Sequence, residues 1–170
     1  MTFPGLFYVG FVLIINSLNM MGKISDKATI PMNIFVAAIQ IAAVSRIMWF
    51  MPEATMANYS TAAAVLLFSF TYLYIAATRA FNLDTRGLGW YCLPVACFAV
   101  PLGYWALPDV GFAIVWWMWA SLWLMFFLLL GVNKNIGTAT KWWTLANGVT
   151  TAVVSFVILN GYWPWQYMYS

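Results

Sequence analysis

Phe112, Trp116, Trp119 and Trp123 recur at spacings of four, three and four residues inside GFAIVWWMWASLWLMFF, residues 111–127. On a helix of 3.6 residues per turn that spacing puts four large aromatic rings on one face. Phe70 and Tyr74 stand one turn apart in LLFSFTYLYIAATRAF, and Leu6, Val9 and Leu13 form a third, aliphatic stripe. Such side chains do no acid–base or nucleophilic work. They can wall a narrow, uncharged passage that strips water from a solute and compensates no ion for the loss. A small planar amide can pass edge-on between ring faces, its N–H groups toward the rings and its carbonyl toward a side-chain or backbone donor. The same periodicity also fits plain bundle packing. Trp49, Trp105, Trp142, Trp143, Trp163 and Trp165 are expected as interfacial belt residues, but Trp119 and Trp123 lie too deep in their segment for that.

The residues that are missing narrow the chemistry further. The chain has no His, which removes His-ligated haem, most metal sites, His proton relays and Ser-His or Cys-His nucleophiles. No Lys, Asp or Glu falls in the middle of an apolar segment, so neither a retinal Schiff base nor a proton- or sodium-coupled carrier has its usual ionisable group near the midplane. Asp26, Glu53, Asp84 and Asp109 read as solvated loop residues, and Cys92 and Cys97, five apart in one segment, read as free apolar side chains that cannot easily bridge. There is no phosphate-binding glycine motif, and no cofactor is expected. What remains is uncharged polarity inside apolar segments: Asn16 and Asn19, Asn33 and Gln40, Ser69 and Thr71, then Thr144, Asn147 and Thr151. In lipid each of these needs a partner, either another helix or a wet lumen, and together they suit a path for a neutral polar solute, with Asn147 as a polar contact on it.

The elements that must hold these residues are set by the charges. Of 170 residues 65% are hydrophobic and only 6% charged, with a mean hydropathy of +0.86. So few charges cannot coat a water-facing surface, and a net charge of +3, scattered along the chain, is no nucleic-acid patch. Charge-free runs over 1–22, 28–45, 54–78, 87–108, 110–133 and 142–170 are each about long enough to cross a bilayer as a helix. The expectation is an all-α membrane protein, one domain over 1–170, with six helices near 3–21, 30–51, 58–80, 89–105, 110–131 and 142–162. The first run lacks a positive n-region and a cleavage site, so it reads as a helix rather than a signal peptide. Lys23, Lys27, Arg79, Arg86, Lys134 and Lys141 fall in loops 1, 3 and 5, which the positive-inside rule makes cytoplasmic, leaving both termini outside. Arg46 interrupts the second helix and is expected to snorkel, with or without Glu53 beside it, or to stand at a pore mouth.

At these segments the chain resembles the AmiS/UreI family of bacterial urea and short-chain amide channels. The resemblance rests on LFYVGFVLIIN (6–16), PMNIFVA (31–37), LLFSFTYLYIAA (66–77) with FNLD and WY (90–91) after it, AIVWWMWASLWL (113–124) and, more loosely, NGVTTA (147–152). FTYLY together with W-x-x-W-x-x-x-W is the specific part. The resemblance implies a homohexamer in the inner membrane, each protomer enclosing its own pore within three helical hairpins, both termini periplasmic. It places the constriction on Leu6, Val9, Leu13, Phe70, Tyr74, Trp116, Trp119, Leu122 and Trp123, with Trp119 and Trp123 forming the slot that selects urea-like molecules. The channel so implied would supply a cytoplasmic amidase or urease with its permeant. Two departures matter: acid-gated members use periplasmic histidines and a long second loop, and this chain has neither. Asn147 stands where members can carry Glu. Both lean toward an ungated amide or urea channel. A proton-coupled amide transporter and a non-conducting membrane scaffold are the rival readings.

Overall fold

The computed structural model describes residues 3–168. Six helices follow one another: α1 (Phe3–Met20), α2 (Asp26–Phe50), α3 (Met56–Phe81), α4 (Thr85–Trp105), α5 (Val110–Phe126) and α6 (Gly137–Leu159). A π-helical turn, Phe127–Gly131, extends α5, and a short 3-10 turn, Gln166–Met168, follows α6. Five of the six (α5 together with its π turn) are long and apolar enough to cross a membrane, and α1 is a shorter apolar helix. The bundle is a closed ring in which each helix touches the next and α6 returns to α1; the most intimate pairs are α2 with α3, α4 with α5, and α1 with α6.

Helices α2, α3, α4 and α6 begin two to five residues earlier than the charge pattern predicts. The residues that read as loop supply the caps. Ser25 accepts from the Ala28 N–H, Asp84 from Arg86, and Thr55 and Asn58 form a reciprocal box. Each satisfies amides that a helix start leaves without an intrahelical acceptor, so polar and charged residues belong to the first turn. Helix α5 is capped by Asp109, which takes the Phe112 N–H at 2.8 Å.

Asp109 is a correction to its sequence reading. It is not solvated but wholly buried, and the indole of Trp163 donates to its other oxygen at 2.6 Å. Trp163 and Trp165 lie against Gly111, where a Cβ would meet the Trp163 ring at 2.6 Å, so the chain after α6 folds back over the start of α5. Trp163 is thus a packing residue rather than a belt residue, and so is Trp143, which donates to Ser121 Oγ at 2.9 Å. Trp49, Trp105 and Trp142 do point outward. Arg46 is also exposed, and among the described residues the one ion pair is Arg79 with Asp26, so Arg46 makes none with Glu53.

Where helices touch most closely the contacts are made by residues without side chains. A Cβ on Gly10 would stand 2.5 Å from the Ala152 nitrogen, and one on Gly148 2.9 Å from the Gly10 carbonyl oxygen, which brings α1 and α6 backbone to backbone. Gly89 does the same for α4 against the π turn at Gly131. Close approach through small residues is how helices associate where lipid supplies no hydrophobic drive between them.

An aromatic chamber between two cavities

The uncharged polar residues turn inward and pair between helices. Asn16 on α1 and Asn33 on α2 exchange two hydrogen bonds, at 3.1 and 3.0 Å. Ser69 on α3 donates to Gln40 on α2 at 3.0 Å. Trp119 on α5 donates its indole N–H to Thr151 on α6 at 2.9 Å. These bonds fix the rotation of the helices about their axes, and with it the side chains that meet along the bundle axis.

What meets there is a pinched chamber of about 30 Å³, room for about two waters. Leu6, Val9 and Leu13 line it from α1, Phe68 and Tyr72 with Val65 from α3, and Trp119, Leu122 and Trp123 from α5, while Gln40 is its one amide. Phe68 is the centre of the aromatic contacts, with ring centroids 5.6, 5.5 and 5.9 Å from those of Trp116, Trp119 and Trp123. Trp116 and Trp119 meet edge to face at 5.0 Å, and Tyr72 meets Trp123 at 6.3 Å. These separations are those of favourable edge and tilted pairs, so the rings hold one another in place. Trp123 Nε1 is buried and has no hydrogen-bond partner, and neither has Asn147 Oδ1.

Toward loops 1, 3 and 5 the chamber leads into a vestibule of about 480 Å³; Leu13 and Trp123 line both. Asn16, Asp26, Thr78, Arg79 and Thr144 supply the polar part of its wall, and Ile75, Leu88, Cys92 and Phe126 the apolar part. At the opposite end a groove of about 440 Å³ is bounded by Ser60, Thr61, Phe112, Trp116 and Met168. Trp116, which lines that groove, is in ring contact with Phe68 of the chamber, and the two spaces have no lining residue in common. Among the described residues no group of His, Cys, Asp and Glu could hold a metal ion.

Of the residues singled out in the sequence, Leu6, Val9, Leu13, Trp119, Leu122 and Trp123 converge on the chamber, and Phe112 and Trp116 face the outer groove. Phe70 and Tyr74 do not join them. Phe70 is 47% exposed on the outside of α3. Tyr74 is half-buried between α3 and α4, its ring 6.3 Å from Tyr91 and its hydroxyl against Gly87. The chamber takes Phe68 and Tyr72 instead, the same pair of residue types in a register two residues earlier, which rotates the stripe by about 200°. That register also turns Ser69 onto Gln40 rather than toward lipid. Asn147 is buried on α6 between Thr144, which lines the vestibule, and Thr151, and donates to the Trp143 carbonyl at 2.9 Å without itself lining the chamber.

The sequence and the fold are shared with known proteins. The chain is 40% identical over 166 residues to a Mycolicibacterium smegmatis protein named for transport of amidate substrates, covering 94% of this chain and 76% of that one. It is 31% identical over 189 aligned positions to the acid-activated urea channel of Helicobacter pylori strain J99, covering 93% and 97% of the two chains. The fold superposes on the crystal structure of the Helicobacter pylori urea channel with a TM-score of 0.86, at 31% identity, over 96% of this chain and 99% of that one. The cryo-electron microscopy structure of that channel in its closed state gives 0.85 at 30% identity, over 94% and 98%. The AmiS/UreI family transporter profile matches residues 1–162, and this chain belongs to the AmiS/UreI family.

Proposed function

We propose that the protein is a passive channel for short-chain amides and urea, and that the chamber of Phe68, Tyr72, Trp119 and Trp123 selects them. The observation that carries this reading is the chamber itself: an aromatic constriction that leads into a wider vestibule, with an indole N–H, Trp123 Nε1, buried and unspent on any protein acceptor. A flat amide offers the two complements such a site asks for: faces that stack on rings, and a carbonyl that accepts from the indole. A buried donor without a partner costs roughly 1–3 kcal/mol, so in the reading we propose a solute carbonyl that accepts from Trp123 Nε1 is stabilised by that amount. Ions gain nothing comparable for the water they lose. Leu6, Val9 and Leu13 supply the opposing apolar wall, and Asn147 Oδ1 is a spare acceptor next to the pathway for amide N–H groups.

The chain has no histidine, and its second loop, between α2 and α3, is only five residues long (51–55). The channel we propose is therefore open without an acid trigger. It lies in a bacterial inner membrane with loops 1, 3 and 5 in the cytoplasm, assembles as a homohexamer of self-contained pores, and feeds a cytoplasmic amidase or urease. Stopped-flow light scattering on proteoliposomes tests it. Formamide, acetamide and urea should equilibrate far faster than in protein-free vesicles and faster than glycerol, nearly alike at pH 5 and pH 7.5, and with no response to collapsing a proton gradient. Flux no faster than in empty vesicles overturns the channel reading. Loss of uptake on collapsing the gradient establishes a coupled transporter instead.

A further inference from the structure

An aromatic slot is an incomplete filter. Apolar walls turn back hydrated metal ions, but the faces of Trp, Tyr and Phe attract small organic cations. Methylammonium and guanidinium approach the amides in size, and guanidinium is equally flat. Rejecting them requires a fixed positive charge on the path.

Arg79 supplies one. It lies in the last turn of α3, but its side chain turns back into the vestibule wall and is only 16% exposed. Nη1 donates to Asn16 Oδ1 at 2.8 Å and to Thr29 Oγ1, and Nη2 donates to Asn19 Oδ1 at 2.9 Å. These acceptors are themselves fixed. Asn16 is locked to Asn33, Asn19 donates to the Ile24 carbonyl at 3.0 Å and to Asp26 at 2.9 Å, and Thr29 donates to the Asp26 carbonyl at 2.6 Å. The oxygens that hold the guanidinium are thus neutral ones, which position it without cancelling its charge. The one carboxylate nearby, Asp26, stands 3.9 Å from Nε and is 71% exposed at the rim, where water screens it. Arg79 and Asp26 are the two charged side chains lining the vestibule. A cation leaving the chamber past Trp123 therefore meets a like charge in a poorly solvated wall, where Coulomb repulsion is several times stronger than in bulk water.

We infer that Arg79 is a specificity-determining residue that bars small organic cations from the amide pathway, and that the Asn16–Asn19–Thr29 cradle exists to hold its charge there. This rests on the channel reading above. A purely structural clamp joining α1, α2 and α3 would lower every flux together; a charge barrier changes a ratio. The test compares acetamide flux, by light scattering, with methylammonium and guanidinium permeation, by bilayer current, for the purified full chain and its variants. Arg79→Gln removes the charge. Asn16→Asp leaves Arg79 in place and sets a carboxylate against it. Both are expected to raise the cation-to-acetamide ratio by about tenfold or more, equivalent to about 1.4 kcal/mol of lost discrimination. Arg79→Lys, which keeps the charge, should keep the parent's ratio. Because a ratio is read, the yield of folded protein does not enter, and if Arg79→Gln fails to insert, Asn16→Asp decides alone. An unchanged ratio in a neutralising variant that still carries acetamide overturns the inference and leaves the channel reading intact. A parent chain that carries no acetamide overturns both.

Discussion

Phe68 and Phe70 are the same residue type two positions apart, and they separate the two uses of an aromatic side chain in this protein. Phe68 touches three tryptophans and lines the chamber; Phe70 lies on the outside. Phe68→Leu keeps an apolar side chain but removes the ring that fills the space among Trp116, Trp119 and Trp123. It should widen the constriction, so that propionamide and glycerol gain on acetamide by several-fold in vesicle flux, with a stability cost of about 1–2 kcal/mol for the lost packing. Phe70→Leu should change neither flux order nor melting temperature. If the two variants behave alike, or if Phe70→Leu is the one that alters selectivity, Phe68 does not form the constriction. The pair also shows where the sequence stops being legible. The segment LLFSFTYLY offers two stripes, Phe68–Tyr72 and Phe70–Tyr74, each four residues apart, and helical period alone ranks neither. What tells them apart is tertiary: with Phe68 and Tyr72 inward, Ser69 meets Gln40 on a neighbouring helix, a contact that no spacing within α3 contains. On α1 and α5, where one stripe stood out, Leu6, Val9, Leu13, Trp119 and Trp123 were readable directly and converge on one chamber, which Leu122, expected only from the family resemblance, also lines.

At the scale of the elements, charge and hydropathy located six helices, but two features escaped them because each depends on a partner. Arg79 looked like one more loop cation; only the acceptors brought beside it by α1 and α2 draw it inward. Asp109 looked solvated until the chain after α6 covered it with Trp163. The closeness of α1 and α6 is likewise invisible to charge and hydropathy, since the seam runs through Gly10, Gly148 and Ala152. This seam closes the ring of helices, so it should tolerate no added side chain. Gly10→Ala would place its Cβ within 2.7 Å of Ala152 backbone atoms, and backbone cannot swing aside as a side chain can. The expected cost is about 1–3 kcal/mol, read as a lower melting temperature of the detergent-solubilised protein and a lower yield. Gly137→Ala is the matched control, because its Cβ would meet only Leu129 Cδ1, at 3.8 Å. A seam of ordinary looseness would let both substitutions pass unnoticed.

Across the whole molecule, the ends of the bundle are unlike in charge, and the orientation proposed above rests on that difference. The end formed by loops 1, 3 and 5 carries Lys23, Lys27, Arg86, Lys134 and Lys141, while the opposite end has Arg46 alone, on the outside of α2. Arg79 belongs to the first end but is held in the vestibule wall, so it does not add to the surface charge there. The asymmetry remains five to one without it, and short flanking loops are where Lys and Arg fix orientation. In the orientation proposed above, an even number of crossings puts both ends of the chain on the far side. The vestibule opens to the cytoplasm in this orientation, which sets Arg79 on the side where a downstream enzyme would leave ammonium as a product of amide hydrolysis. Single cysteines placed in a Cys92→Ser, Cys97→Ser background decide the orientation in intact cells with a membrane-impermeant maleimide. Glu53→Cys, in the second loop, should label at once, and Asn135→Cys, in the fifth, only after the membrane is permeabilised. The reverse pattern would place the vestibule outside, and the charge barrier at Arg79 would then face the solute before it reached the aromatic chamber rather than after.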